Sequence, residues 1–127
     1  MDAVLVDSDI VIEVLRNRNS EIRESWEALS EAAVSVAYSP VTAAEIWHGA
    51  RPPESSPIER LFSALACIPI DAEIGRQAGN FMRRFRPSHG LELGDALIAA
   101  TASLHGLRLW TRNRKHYPMR DVQFYLD

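Results

Sequence analysis

Three carboxylates stand where an α/β protein does its chemistry. Asp7 closes the apolar run Ala3-Val4-Leu5-Val6, Glu45 lies in Thr42-Ala43-Ala44-Glu45, and Asp95 begins Asp95-Ala96-Leu97-Ile98-Ala99-Ala100-Thr101-Ala102. Each falls at a strand-to-helix crossing or a helix start. Carboxylates gathered there repel one another unless a cation neutralises them. Several hard oxygens together are the ligand set of Mg²⁺ or Mn²⁺. Such an ion ionises water and offsets charge on a phosphoryl group. Each acid also has a structural alternative. Asp7 or Ser8 could cap the next helix. Glu45 matches the last position of a capping box. Asp95, after Gly94, could cap or favour a helix N-terminus. The helix after Asp95 is otherwise apolar or small, so it is buried nearly all round. A carboxylate at the mouth of such a core costs energy unless something binds it. Asn113 adds a neutral oxygen and an amide near the same edge, and it could equally be a turn former.

The elements that must position these groups are legible in outline. Val4-Leu5-Val6 reads as a strand buried on both faces, hence central in a sheet. Open α/β sheets place ligands at the C-terminal ends of such strands. A short helix follows over 10–15, and a second opens at Ser20 with Ile22, Trp26 and Leu29 on one face. Strand two is predicted over 34–37, with Pro40 in the turn after it. A third helix opens at Thr42 and ends near Gly49. Ser56-Pro57-Ile58-Glu59 predicts a capped helix start. A short strand over 67–70 contains Pro69, which argues for a sheet edge. Asp71 caps the longest helix, which Pro87-Ser88-His89-Gly90 is expected to break. The helix from Asp95 stops at Gly106, with His105 at its C-terminal end. Strands are expected over 107–111 and 122–126. Helices separate most strands, which predicts an α/β fold with a mainly parallel sheet between helices.

Composition limits the function. A chain of 127 residues with no visible linker reads as one domain, 1–127. Fourteen Lys plus Arg against seventeen Asp plus Glu give a net charge of −3, unlike a general nucleic-acid coat protein. Lys115 is the only lysine, and arginine suits bidentate phosphate binding. The single cysteine, Cys67, excludes an internal disulfide and a cysteine zinc cage, and reads as a core filler. His48, His89, His105 and His116 show no zinc spacing. No apolar run reaches a membrane span of about 18 residues, and Met1-Asp2 shows no leader, so a cytoplasmic protein is expected.

Four runs in order, VLVDSDIVIEVL, VTAAEIWHGA, LELGDALIAATASLHGL and LWTRNRKHY, resemble the motifs of PIN-domain nucleases. More closely, they resemble the VapC toxins of type II toxin–antitoxin systems. The resemblance implies a PIN-like three-layer α/β/α sandwich around a mainly parallel sheet of four to five strands. It implies a Mg²⁺- or Mn²⁺-dependent ribonuclease with Asp7, Glu45 and Asp95 as metal ligands. Asn113 takes a fourth catalytic position that is often acidic in the family, with Thr111 and Ser8 supporting from behind. A homodimer, a VapB-type antitoxin covering the site, and a structured RNA substrate (transfer or ribosomal RNA) are also implied. Arg112, Arg114, Lys115 and His116 follow the last motif strand, and some of them are expected to hold RNA phosphates. A solvated loop is the alternative.

Two rivals come from other classes. A haloacid-dehalogenase-type phosphatase would use Asp7 as nucleophile and Asp9 as acid. It needs a basic residue before the later acidic motif, and the only lysine, Lys115, comes after it. A non-catalytic phospho-receiver-like domain would need a phosphoacceptor after a middle strand. Asp71 follows the third strand, but no paired acids match.

Overall fold

Val4–Val6 forms strand β1, and all three of its side chains are buried. The computed structural model describes residues 3–126. Met1 and Asp2, the residues read for a leader, lie outside the described residues, as does Asp127. After β1 come helices α1 (Ser8–Arg16) and α2 (Ser20–Glu31), strand β2 (Val36–Tyr38) and helix α3 (Pro40–His48). A 3₁₀ turn (Pro52–Glu54) leads into α4 (Ser55–Ser63), β3 (Ala66–Cys67), α5 (Ala72–His89) and α6 (Leu93–His105). Strand β4 (Arg108–Trp110), a second 3₁₀ turn (Arg114–His116) and β5 (Gln123–Phe124) complete the chain.

The sheet runs β3-β2-β1-β4-β5 with every neighbouring pair parallel. β1 is therefore central, as its unbroken apolar run predicts, and β3 is an edge. Side chains alternate across a strand, so the two faces of β1 feed two cores. Leu5 joins Ile74, Phe81, Ala96 and Ala99 of α5 and α6. Val4 and Val6 join Ile10, Ile22, Ile46 and Phe62 of α1 to α4. The result is the expected three-layer α/β/α sandwich. The chain leaves β1 toward β2 and β3, then returns through α5 and α6 to β4 on β1's other side. The seam between β1 and β4 is the topological switch point, where such sheets take ligands.

Several local expectations are corrected. Pro40 is not in a turn but opens α3, with the Ser39 hydroxyl accepting from the Val41 amide at 3.1 Å. Proline at a first helical position loses no bond, and its fixed φ suits the helix. Thr42 therefore lies inside α3 and does not cap it. Ser56 does not cap α4, because the 3₁₀ turn runs straight into that helix; the Ser56 hydroxyl accepts from the Arg60 guanidinium instead, at 2.8 Å. α5 continues through Pro87 and ends at Gly90, whose φ of +63° costs little only without a side chain. The missing amide falls in the exposed last turn, where water can satisfy the freed carbonyl. Cys67 is exposed rather than core, since a two-residue edge strand has little cover. Trp26, on the face of α2 that carries Ile22 and Leu29, is half-buried with its ring centroid 6.1 Å from that of Trp110. Trp47 is exposed.

Candidate active site

The end of β1 hands the chain directly to α1, and Asp7 sits at that junction. Its Oδ1 accepts from the Ser8 amide at 2.8 Å, so the capping alternative holds for one oxygen. Its Oδ2 accepts from the Thr111 hydroxyl at 2.9 Å and from the Tyr117 hydroxyl at 2.8 Å. Thr111 follows β4, so this bond spans the β1–β4 seam. The Asp7 amide donates to the Trp110 carbonyl at 3.0 Å, carrying the parallel ladder up to the carboxylate. A carboxylate only 6% exposed is thus held by three donors.

Asp95 stands in the first turn of α6. It caps nothing. Its Oδ1 accepts from Tyr117 at 3.3 Å, and its Oδ2 lies 3.6 Å from His116 Nδ1. Gly94 lets α6 begin close to α3, because a Cβ there would meet Val41 Cγ1 at 3.4 Å. Glu45, on the facing α3, belongs to the second turn now that Pro40 opens the helix. The capping-box alternative is thereby removed. The Ser8 hydroxyl sits near enough to the Glu45 carboxyl to favour its ionised form.

Asp7, Ser8, Asp9, Glu45, Glu92, Gly94, Asp95, Asn113 and His116 line one cleft of about 260 Å³. Asp7, Glu45, Asp95 and Asn113 are therefore brought to one place. Asp9 and Glu92 belong there too; sequence reasoning gave Asp9 a part only in the phosphatase rival and did not single out Glu92. Tyr117 was missed as well, although it is the last residue of the quoted run LWTRNRKHY. Asp9 accepts from the Arg112 amide at 2.8 Å and from Asn113 Nδ2 at 3.3 Å. It ties the loop after β4 to α1.

The basic residues divide. His116 is at the cleft, and Lys115 is exposed. Arg112 turns away: its guanidinium pairs with Glu13 at 2.9 Å. It lines a separate groove of about 570 Å³ with Ile10, Ile22 and Trp110. Arg114 donates to the carbonyls of Tyr125 and Leu126 and lies 5.0 Å over the Phe124 ring. It anchors the chain beyond β5.

The electrostatics carry the mark of crowded negative charge. Burial pushes the Asp95 carboxyl above its ordinary range, and the Asp7 charge adds to the push; His116 and the Tyr117 hydroxyl oppose it. Glu45 is raised by partial burial and then by Asp7, Asp95 and Asp9, against the Ser8 hydroxyl. Asp9 is raised by burial and by Asp7, with the Arg112 amide opposing. Burial, Asp7 and Asp95 hold the Tyr117 phenol far above its ordinary value, so it stays protonated and donates.

A divalent cation fits this donor set by chemistry: five carboxylates line one cleft, and three of them, Asp9, Glu45 and Asp95, have raised proton affinity. Among the described residues no three His, Cys, Asp or Glu side chains already surround a single point as ligands. The Tyr117 hydroxyl lies between Asp7 and Asp95, and like charges keep their distance.

A PIN domain family model matches residues 4–123. The chain is 39% identical over 117 residues to ribonuclease VapC10 of Mycobacterium tuberculosis, covering 91% of this chain and 86% of that protein. It is 33% identical over 116 residues to ribonuclease VapC19 of the same organism, covering 91% and 92%. A toxin–antitoxin complex from Klebsiella pneumoniae matches with a TM-score of 0.72 at 31% identity, over 94% of this chain and 95% of that one. VapBC2 from Rickettsia felis, bound to a promoter DNA fragment, has the same fold, with a TM-score of 0.81 at 20% identity over 97% of each chain.

Proposed function

The chain belongs to the PIN-domain family, and on that premise we propose that it is a divalent-metal-dependent endoribonuclease, the toxin of a type II toxin–antitoxin pair. The observation that carries the reading is the cleft at the C-terminal edge of the sheet, lined by Asp7, Asp9, Glu45 and Asp95. The kinship with proteins named as VapC ribonucleases supports the activity. The likeness to a toxin–antitoxin complex at 31% identity supports a VapB-type antitoxin as partner. A homodimer, a transfer or ribosomal RNA substrate and a cytoplasmic location belong to the same proposal. Among the described residues no helix is long and apolar enough to cross a membrane.

Asp7, Glu45 and Asp95 would hold Mg²⁺ or Mn²⁺. The ion supplies Lewis acidity, lowering the pKa of water and offsetting charge on the phosphoryl group. Thr111 and Ser8 orient Asp7 and Glu45 from behind. Asn113 holds Asp9 through its amide and presents its carbonyl oxygen near the cleft. His116, beside Asp95 at the mouth, and Lys115 are placed to meet RNA phosphates. Attack by water in line with the leaving 3′-oxygen forms one P–O bond and breaks the other. The 3′-oxygen leaves with a proton, giving a 5′-phosphate and a 3′-hydroxyl. The 2′-hydroxyl takes no part.

Product-end analysis tests this. Transfer and ribosomal RNA are incubated with protein and Mg²⁺, and the fragment ends are mapped by ligation and phosphatase sensitivity. We expect 5′-phosphates and 3′-hydroxyls. Cyclic 2′,3′-phosphates would overturn the mechanism.

The phosphatase rival loses its footing in the geometry. Asp9, its required acid, is engaged by the Arg112 amide and the Asn113 side chain.

A further inference from the structure

We propose that Tyr117 is a positioning residue, whose phenol hydroxyl fixes Asp7 and Asp95 against each other and sets how tightly the cleft takes a divalent cation. The proposal rests on the metal-dependent reading of the same cleft.

Tyr117 follows the 3₁₀ turn Arg114–His116 and is only 3% exposed. Its ring belongs to the core beneath α6 and meets Phe124 edge-on at 6.5 Å. Its hydroxyl is 2.8 Å from Asp7 Oδ2 and 3.3 Å from Asp95 Oδ1. One hydroxyl hydrogen cannot fully serve both, and the shorter contact assigns it to Asp7. Asp7 Oδ2 then receives two donors, Tyr117 and Thr111. A carboxylate oxygen has two lone pairs, so Oδ2 is filled. Among the described residues, Oδ1 accepts from the Ser8 amide alone and keeps a lone pair for another partner. The two hydroxyls thus turn the carboxylate so that its remaining acceptor site lies on Oδ1.

The hydroxyl has a second effect. Its hydrogen, held on Asp7 Oδ2, offsets part of the charge that Asp7 presents to Asp95. A phenylalanine would fill the same core space and remove only the hydroxyl between them. Outer partners of metal ligands typically change affinity about 10–100-fold when removed.

The test compares wild type with Tyr117→Phe as full chains, using Mn²⁺ alone as the probe. Calorimetric titration at neutral pH gives the affinity, and electron paramagnetic resonance of bound Mn²⁺ reports its surroundings. Circular dichroism and a melt in chelator report the fold. We expect a folded variant whose Mn²⁺ affinity falls about 10-fold or more, with an altered bound-ion spectrum. A purely structural tyrosine predicts a lower melting temperature with affinity unchanged well below the melt. A wild type that binds and a folded variant that binds within twofold of it overturn this proposal alone. A wild type that takes up no Mn²⁺ overturns the metal reading and this proposal with it. Thr111→Val, which strips the other hydroxyl from the same oxygen, supplies a second variant if Tyr117→Phe does not fold. It must also weaken Mn²⁺ binding for the account to stand.

Discussion

The Thr111 hydroxyl reaches across the β1–β4 seam to Asp7 Oδ2 at 2.9 Å, joining residues 104 positions apart. The same oxygen, Thr111 Oγ1, accepts from the Asn113 amide at 3.0 Å. One buried hydroxyl thus orients a carboxylate and shapes the loop that follows β4.

Thr111→Val keeps the side chain's shape and removes both hydrogen bonds. The Asn113 amide and one lone pair of Asp7 lose their partner. We expect stability to fall by about 1–3 kcal/mol, the cost of buried polar groups left unmade. RNA cleavage should fall about 10–100-fold. Denaturant unfolding and cleavage kinetics check the two effects. Unchanged cleavage would remove Thr111 from the site.

The crowded carboxylates predict an uncommon pH profile. Asp9, Glu45 and Asp95 have folded-state pKa values above their unfolded ones, so each binds its proton more tightly when folded. Their contribution to stability is fully present below the ordinary values of 3.8 and 4.5. It is lost as pH rises through the raised folded values. In chelator, the melting temperature should rise as pH falls from neutral toward the ordinary carboxylate range. Mg²⁺ should add most stability at the upper end, where the carboxylates are charged. A chelated melt that drops steadily with falling pH would contradict the assigned shifts.

Two basic neighbours should behave oppositely. Arg114→Ala removes the Phe124 contact and the ties to Tyr125 and Leu126, costing on the order of 0.5–1 kcal/mol for the cation–π part alone. It should leave the KM for RNA unchanged. Lys115→Ala should leave the melt unchanged and raise KM, with a shallower dependence on salt. A shift of KM by Arg114→Ala alone would reverse the assignment.

Light scattering at tens of micromolar should give a dimer, roughly the range of ordinary assembly affinities. Adding the proposed VapB-type antitoxin should yield a heteromeric complex without RNA cleavage. A monomer, or a complex that still cuts RNA, would count against the partner reading.

The part of this site that sequence makes legible is the part written in local pattern. Val4-Leu5-Val6 ending in Asp7 shows a central strand and its working end, because burial on both faces demands an unbroken apolar run. Asp95 stands out because a carboxylate at the head of an apolar helix conflicts with its surroundings. Tyr117 carries no such sign, since its partner Asp7 is 110 positions away and its ring alone would suit the core. Asp9 beside Asp7 looks like a cap, and only the fold brings Arg112 and Asn113 against it. The start of α3 was legible and misread: Ser39-Pro40 is a cap and a first-position proline, not a turn. That one shift moves Glu45 out of the capping box and onto the cleft.

The central claim is that these carboxylates hold a cation for RNA hydrolysis. The most direct test is cleavage of RNA by wild type and by Asp95→Asn, each in Mg²⁺ and in chelator, beside a melt of both. The account predicts that wild type cuts only with Mg²⁺ and that Asp95→Asn is folded and inactive. Its metal-free melt should match or exceed that of wild type, because one repelling charge is gone. Cleavage by wild type in chelator, or undiminished cleavage by Asp95→Asn, would contradict it.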